Sequence, residues 1–337
     1  MTLRWKYSRP ALAILLLLLA LAPLLGSNPL SRPGLQQTMA VAFIYGGLAL
    51  TYDLLFGFTG LLSFGHALYF GSGMYITAIL IDNKVFPWYI AMFFAVFLTG
   101  LLATIVGAAS LRTAGITFAM VTLAFGEAGH VVVNRNFFRL TGGENGISLD
   151  ATRIPQIWIG VVNTKYLYWT ALLCLILTYL VIWWVTESSA GKVFAAMRDN
   201  EKRVQVLGIN TQVFKLLSFV ISGTLASILG VMMLLAAGTA APRFADANLT
   251  IALLLMVILG GAVTRWGAVV GGIVYSYATT RMQDYTAVFN KLPKFLGGPL
   301  SEPTFTLGIL FILVVMFAPG GLSGAYYRLR LRAISKK

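Results

Sequence analysis

Residues 214–238 read FKLLSFVISGTLASILGVMMLLAAG, an apolar run with a single charge, Lys215, close to its start. A helix needs about 20 apolar residues to cross roughly 30 Å of hydrocarbon. In lipid every backbone N–H and C=O must find a partner within the protein, so a run of this length is expected to be helical. The stretch therefore predicts a transmembrane α-helix.

Runs of the same kind recur along nearly the whole chain. Of its 337 residues, 58% are hydrophobic and only 11% are charged, and the mean hydropathy is +0.82. A soluble domain has a different mix, and the strands of a membrane barrel would be about ten residues long and alternating. The sequence predicts an all-α integral membrane protein, a single bundle of about ten transmembrane helices, at residues 10–26, 36–56, 62–81, 88–109, 114–133, 166–186, 214–238, 249–263, 267–283 and 304–319.

The chain divides into three parts. Residues 1–35 form an N-terminal segment with the first span, residues 36–325 form the core, and residues 326–337 form a basic tail. The basic start followed by an apolar run also has the layout of a signal peptide. We expect a retained first span, with cleavage as the alternative.

The basic residues predict the orientation. If the N-terminus is cytoplasmic, 15 of the 25 Lys and Arg residues fall in inner segments, as the positive-inside rule requires. Both termini are therefore predicted to lie in the cytoplasm, with the chain crossing a bacterial inner membrane several times. The net charge of +14 lies in short loops that flank the spans, so it indicates topology and no nucleic-acid partner.

Few residues suit catalysis or metal binding. The chain has two histidines and one cysteine, Cys174, within an apolar run, which predicts neither a disulfide framework nor a metal site. Ser63 lies near His66, but no orienting acid stands at a readable spacing. The sequence therefore predicts no catalytic residues and no enzyme activity.

The sequence also lacks a phosphate-binding loop. Gly191, Lys192 and Val193 have neither the upstream glycine nor the hydroxyl residue that such a loop needs. We expect this chain to bind no cofactor. If ATP powers its function, a partner subunit hydrolyses it.

Four ionisable residues fall within or beside spans: Asp53, His66, Glu127 and His130. Such residues cost free energy in a membrane and are candidates for function. Asp53 and His66 flank the bend between two spans, so we expect them near the membrane interface, in a structural role or in a pathway. Glu127 and His130 share a helix face, where they either pair or meet a substrate. The candidates for a substrate pathway are Asp53, His66 and Glu127.

Glycine is dense in two groups of apolar runs. The groups allow close packing of helices or, alternatively, discontinuous helices that line a pathway. Their members are Gly57, Gly60, Gly65, Gly71 and Gly73 in the first group, and Gly260, Gly261, Gly267, Gly271 and Gly272 in the second.

Two polar loops are long. The outer loop, 134–165, contains the glycine-rich run 141–146, either a sharp connection or a docking surface. The inner loop, 187–213, predicts an amphipathic helix from Ser189. This helix either lies on the membrane or, as we favour, docks in a cleft of another protein. Its apolar face comprises Val193, Ala196, Met197 and Val204, and its charged face Arg198, Glu201 and Lys202.

Six stretches together, in this order and spacing, resemble the branched-chain amino-acid permease family of ABC importers, in particular its LivM-type subunits and the related UrtC-type permeases of urea importers. The stretches are Leu54–Gly73 (LLFGFTGLLSFGHALYFGSG), Gly115–Glu127 (GITFAMVTLAFGE), Leu140–Ser148 (LTGGENGIS), Gly191–Phe219 (GKVFAAMRDNEKRVQVLGINTQVFKLLSF), Leu259–Gly272 (LGGAVTRWGAVVGG) and Phe317–Leu322 (FAPGGL).

The resemblance implies partners and contact residues. The partners would be a second, LivH-type permease, two cytoplasmic ATPase subunits and an extracytoplasmic solute-binding protein. Contacts to the ATPase would involve Gly191, Ala195, Ala196, Arg198, Asn200, Glu201 and Gly208. Contacts to the binding protein would involve Thr141, Gly142, Gly143, Glu144 and Asn145.

The resemblance also implies a function. The expected activity is ATP-driven import of branched-chain or other hydrophobic amino acids. Import of urea or short amides is one alternative. A secondary transporter that uses Asp53 or Glu127 with an ion gradient is the other.

Overall fold

A computed structural model of the protein describes residues 32–83, 86–137, 139–158, 163–289 and 320–335, with a few isolated positions besides. The α-helices are α1 Pro33–Asp53, α2 His66–Asp82, α3 Trp88–Ser110, α4 Ile116–Arg135, α5 Thr164–Glu187, α6 Ser189–Val206, α7 Thr211–Ala237, α8 Ala247–Gly260, α9 Arg265–Phe289 and α10 Gly321–Ser335. One short antiparallel pair joins β1 Ile147–Ser148 to β2 Thr239–Ala240.

The all-α membrane class is confirmed. Eight predicted spans correspond to α1–α5 and α7–α9, and the predicted loop helix corresponds to α6. Among the described residues, five helices are long and apolar enough to cross a membrane. The predicted first span, 10–26, and nearly all of the tenth, 304–319, lie outside the described residues.

Helices α1 and α7 form the centre of the bundle. Helix α1 packs against α5, α7, α8 and α9, and α7 packs against α1, α2 and α3. Most residues of both helices are buried. Helix α4 lies at the edge, where it contacts α2, α3 and α8 over short stretches. A large part of its surface is therefore left for lipid or for another subunit.

Close packing explains several of the intramembrane glycines. Where α2 crosses α7, a Cβ on Gly73 would collide with the carbonyl oxygen of Ser227, and a Cβ on Gly230 would collide with that of Phe70. Small residues let helix backbones approach closely in membranes. The packing interpretation is confirmed at this crossing.

The helices are also interrupted, as the alternative interpretation predicted. After α1 the chain continues as a wide π-helical turn, Leu54–Thr59, and then leaves helical geometry until α2 begins. Gly60 ends the turn with a φ of 78°, in the left-handed region that favours glycine. A second break, between α8 and α9, contains Gly261. These breaks bend the backbone inside the bundle.

Helix α7 connects the two ends of the bundle. Its 27 residues span about 40 Å at 1.5 Å per residue, more than the roughly 30 Å of a bilayer core. Helix α6 precedes its first residue and β2 follows its last. The α6 end and the β-sheet end of the bundle therefore lie on opposite sides of the membrane.

Candidate functional site

Helix α6 is a kinked helix held at the end of the bundle. It begins after Ser188, whose side chain accepts a hydrogen bond from the Gly191 N–H at 3.4 Å. Asn200 has extended backbone geometry, with a φ of −162°, and divides the helix. Its Oδ1 accepts a hydrogen bond from the Arg203 N–H at 3.1 Å, as an N-cap residue does. The second half thus starts with its own cap.

The buried face of α6 differs in part from the prediction. Phe194, Met197 and Val204 are buried against the bundle, as an amphipathic helix requires. Ala196, which was predicted on this face, is exposed. The prediction for Ala196 was wrong because Phe194 and Met197 define the centre of the buried face. At about 100° per residue, Ala196 then falls on the outer flank.

Arg198 connects α6 to the end of α1. Its Nη1 donates a hydrogen bond to the carbonyl oxygen of Gly57 at 2.9 Å, within the π-helical turn. Carbonyl groups in the last turn of a helix lack partners within the helix, and a cation there is favourable. Arg198 also makes an exposed ion pair with Asp199 at 3.4 Å. The guanidinium therefore caps the helix that it contacts.

Glu201 connects α6 to the start of α7. Its Oε1 accepts from the Lys215 Nζ at 2.5 Å and from the Thr211 hydroxyl at 3.0 Å. Lys215 is buried, so its charge needs this partner. Two residues that the resemblance assigned to an ATPase contact, Arg198 and Glu201, thus bind within the chain, and both remain partly exposed.

The turn after α6 exposes large apolar side chains. Val206 is 86% exposed and Leu207 is 77% exposed. Gly208 follows with a φ of 81° and open space where a Cβ would lie. Two adjacent exposed apolar side chains in a polar loop form a candidate contact surface. We did not identify Val206 and Leu207 from the sequence, although two consecutive apolar residues before a glycine in a polar loop were a usable signal.

The break between α8 and α9 lies at the same end of the bundle. The Asp53 Oδ1 accepts a hydrogen bond from the Val263 N–H at 3.0 Å. Val263 has a φ of 68°, which is unusual for a β-branched residue. Arg265 makes an ion pair with Glu187 at 2.7 Å, at the end of α5. The α6 end of the bundle therefore contains the π-helical turn, α6 itself and the strained turn at Val263.

The side chains of Asp53 and His66 lie inside the bundle and flank the bend between α1 and α2. That this bend lies near the membrane interface stays a prediction. Both side chains are fully buried. The His66 Nε2 is 3.0 Å from the Thr51 hydroxyl, and its ring packs edge-on against Tyr52. The π-helical turn and the non-helical segment after it direct the α1–α2 connection inward, which a hydropathy profile does not reveal.

Two polar atoms of this buried pair have no partner. Among the described residues, neither the Asp53 Oδ2 nor the His66 Nδ1 makes a hydrogen bond. Buried polar atoms are usually paired. Neither residue lines the cavity described below, so the pair belongs to the interior of the break between α1 and α2.

One face of helix α4 combines apolar residues in its first half with polar residues in its second half, and we call this face the α4 stripe. From its first residue, positions at spacings of four and three fall on one face, and Glu127 and His130 lie on it, both half-buried. No hydrogen bond or ion pair joins these two described residues, so the alternative in which they pair is not observed. The stripe comprises Ile116, Met120, Leu123, Glu127, His130 and Asn134.

A cavity of about 490 Å³ lies at the α6 end of the α4 stripe. Four parts of the chain form it: the segment after the π-helical turn, the α3–α4 connection with the start of α4, the middle of α6, and Lys215 of α7. Its charged lining residues are Arg198, Glu201 and Lys215. The cavity therefore lies between Arg198 and Glu201, which hold α6, and the exposed face of α4.

The glycine-rich turn lies at the opposite end. The Thr141 hydroxyl donates a hydrogen bond to the carbonyl of Val133 at 2.7 Å. Gly142, Gly143 and Gly146 all have positive φ, and β1 follows directly. The run 141–146 is therefore the sharp connection of one prediction, and it still exposes the side chains of Glu144 and Asn145.

Comparison with known proteins gives the family. Residues 34–326 match the family described as branched-chain amino acid transport system / permease component. The chain belongs to this family. The permease is a multi-pass protein of the inner membrane and a subunit of an ABC importer, a class of transporter that includes ATPase and binding-protein subunits.

Individual relatives agree with the family over most of the chain. The permease is 26% identical to the high-affinity branched-chain amino acid transport system permease protein LivM of Escherichia coli (strain K12), over 86% of this chain and 70% of the relative. It is 26% identical to a probable branched-chain amino acid transport permease protein LivM of Methanocaldococcus jannaschii, over 83% of this chain and 90% of the relative. A solved structure, PsaBC from Streptococcus pneumoniae in complex with Fab, covers 88% of this chain and 95% of that chain, with a TM-score of 0.44 at 14% identity.

Proposed function

We propose that the permease carries branched-chain or other hydrophobic amino acids into the cytoplasm, and that α6 with the turn 206–208 transmits the motion of a separate ATPase. Relatives from a bacterium and an archaeon are both named as branched-chain amino acid permeases. This agreement supports the substrate class.

The observation that carries the coupling proposal is the contrast between the two sides of α6. One side is bound to α1 and α7 through Arg198 and Glu201, while the following turn exposes Val206 and Leu207. A segment that is bonded to the bundle on one side and exposes apolar side chains on the other can bind an ATPase and transmit its movement to the bundle. Closure of an ATPase pair would then shift the bundle between inward-open and outward-open states.

The same surface contains several of the residues that the resemblance assigned to the ATPase, with Ala195 half-buried beside them. Ala196, Asn200 and Gly208 are exposed and face outward. We propose them as contact residues, with Arg198 and Glu201 as positioning residues that hold the surface. Gly191 packs so closely on Thr186 that a Cβ would collide with its carbonyl oxygen, so it shapes the start of the helix.

The pathway is proposed along the α4 stripe. A carboxylate that faces lipid costs several kcal/mol (about 2.5–3.5 at the centre of a span), yet Glu127 lies on the half-open face of a peripheral helix. This placement favours a partner or an aqueous path over lipid. We therefore propose that a second permease, of the LivH type, packs opposite the stripe and that Glu127 lines the path between them.

The remaining partners follow from the two ends of the bundle. The α6 end carries the basic residues of α6 and the basic helix α10, which meets the α8–α9 break through a 2.9 Å hydrogen bond from Thr264 to Ser323. Basic segments favour the cytoplasm, so the two ATPase subunits would dock there. The exposed Glu144 and Asn145 at the other end would face a solute-binding protein. ATP would be bound and hydrolysed by the partner alone.

The test uses two glycines at opposite ends of α7. Gly208 and Gly238 both have positive φ, of 81° and 70°, and both have open space where a side chain would lie. An arginine therefore adds similar backbone strain at each position. Gly208→Arg is expected to abolish copurification of the ATPase from cells that express the tagged permease, and also leucine uptake. Gly238→Arg is expected to keep the ATPase bound.

Two results would overturn the proposal. Unchanged ATPase copurification with Gly208→Arg would remove the coupling assignment. Uptake of radiolabelled leucine that continues after ATP depletion, and stops when ion gradients are dissipated, would instead indicate a secondary transporter. Competition by a panel of amino acids and urea identifies the solute class in the same assay.

A further inference from the structure

We propose that the cavity between α4 and α6 is a binding site for a zwitterionic amino acid with an apolar side chain, and that it fills from the cytoplasm. The proposal rests on the proposed function, because it names a second place at which the carried solute acts. It assigns a role to a cavity at the end of the α4 stripe, beside the anchors of α6.

The cavity has the size of a small-molecule site. Its volume of about 490 Å³ lies within the range of roughly 300–1,000 Å³ that ligand pockets occupy. Apolar walls with a few convergent polar groups are typical of such pockets. The apolar lining includes Leu62, Phe64, Phe118, Met120, Leu123 and Met197.

The charged groups suit a zwitterion. The Glu201 Oε1 accepts from Lys215 and Thr211 and, at 3.5 Å, from Gln205, while no described residue bonds to its Oε2. That oxygen can accept an ammonium group. A guanidinium has five N–H donors, and Arg198 commits Nη1 to Gly57 and Nη2 to a long 3.4 Å contact with Asp199. Its remaining donors can take a carboxylate.

The walls discriminate between the candidate solutes. Two methionines, Met120 and Met197, line the cavity, and their flexible side chains adapt to apolar groups of different shape. An aliphatic side chain would bury apolar surface against them, at about 25 cal/mol per Å². Urea has no such surface and would leave these walls uncovered. The cavity therefore favours an aliphatic amino acid.

Occupancy has a consequence for transport. Arg198 and Glu201 both line the cavity and both hold α6 against the bundle. A ligand that bridges them binds best to the arrangement in which α6 is in its present position. It therefore shifts the population toward that arrangement. Amino acid that has accumulated in the cytoplasm would oppose movement of α6 and slow further import.

The test uses photo-leucine, a diazirine analogue of leucine. The intact importer in lipid nanodiscs is illuminated with photo-leucine, and adducts are mapped by mass spectrometry. We expect adducts in residues 113–123 and at Met197, which excess leucine removes and excess urea leaves. Met120→Trp adds bulk at the wall of the cavity and should reduce this labelling. Val132→Trp, an exposed position on the same helix away from the cavity, is the matched control and should label normally.

A second variant tests the charge recognition. Glu201→Gln keeps one oxygen that can accept from Lys215 and Thr211 and replaces the second oxygen by an NH2 group, which cannot accept from an ammonium group. Labelling should therefore fall while the adduct positions stay the same. Unchanged labelling in both Met120→Trp and Glu201→Gln, or adducts confined to other regions, would overturn the proposal.

The two proposals fail in different ways. If the importer takes up leucine but photo-leucine does not label the cavity, the cavity assignment is wrong and the transport function stands. If leucine is not taken up by an importer that couples ATP hydrolysis to transport of another solute, the proposed substrate is wrong, whatever the labelling shows. A final measurement separates regulation from binding: leucine on the ATPase side should lower the uptake rate of the unaltered importer. An uptake rate that does not respond to this leucine would refute the regulation and leave the binding site standing.

Discussion

Arg198→Ala tests whether α6 is held by the cap that it makes on the end of α1. The substitution removes the 2.9 Å hydrogen bond from the guanidinium to the Gly57 carbonyl. Hydrogen bonds to charged groups contribute about 1.5–3 kcal/mol net. The Arg198 side chain is 33% exposed, so water replaces part of the lost interaction, and we expect a loss at the low end, about 1.5 kcal/mol.

This loss predicts a measurable change in local opening. Since 1.4 kcal/mol is a factor of ten in an equilibrium constant, the opened form of α6 should become about tenfold more populated. Helix α6 would still be tied to α7, because the Glu201–Lys215 ion pair does not involve Arg198. The effect should therefore be confined to the first half of α6, Ser189–Asp199.

Hydrogen exchange followed by mass spectrometry measures this opening directly. In the complete importer, amides of residues 189–199 in the Arg198→Ala variant should exchange about tenfold faster, while those of α7 keep their rates. Lys192→Ala is the matched control, since Lys192 is exposed on the same helix. If both variants exchange at the same rate in residues 189–199, the cap does not hold α6 and the positioning role of Arg198 is refuted.

Two further predictions concern stability. Gly73→Ala places a Cβ against the Ser227 carbonyl and should cost about 1–3 kcal/mol, lowering the melting temperature of the purified protein. In Gly100→Ala the new Cβ would meet only the Thr224 hydroxyl, at 3.2 Å, and the melting temperature should stay unchanged. Equal losses in the two variants would refute the close crossing of α2 and α7. The Arg265–Glu187 pair joins partly exposed side chains, so a double-mutant cycle should give a coupling of about 0.2–1 kcal/mol that weakens with salt. A coupling above about 2 kcal/mol would contradict this.

The secondary structure of the permease was largely predictable. Eight of the predicted spans correspond to observed helices, and α6 was predicted to start at Ser189, where it does. Both results depend on local properties. An apolar run in a membrane has few alternatives to a helix, and a serine before a helix satisfies an N–H of its first turn.

The positions of the polar residues were less predictable. The side chains of Asp53 and His66 are buried within the protein, which their place beside a bend did not predict, and Ala196 was expected on the buried face of α6 and is exposed. The π-helical turn accounts for the first pair, and the position of Phe194 accounts for the third residue. The π-helical turn has no periodic signal in the sequence, whereas Phe194, Met197 and Val204 lie at helical spacing and could have been recognised as the buried face. The β1–β2 pair was also missed, because strands of two residues are too short to show alternation.

The sequence by itself determined that this chain crosses a membrane many times and that its polar loop 187–213 contains an amphipathic helix. Crossing hydrocarbon depends on about 20 consecutive residues, so it can be deduced from the order of residues alone. Only the tertiary structure decided that Arg198 meets Gly57, 141 positions away, and that Asp53 meets Val263, 210 positions away. Such contacts depend on how the helices cross and where they break, because hydrogen bonds form only between groups that packing brings within about 3 Å.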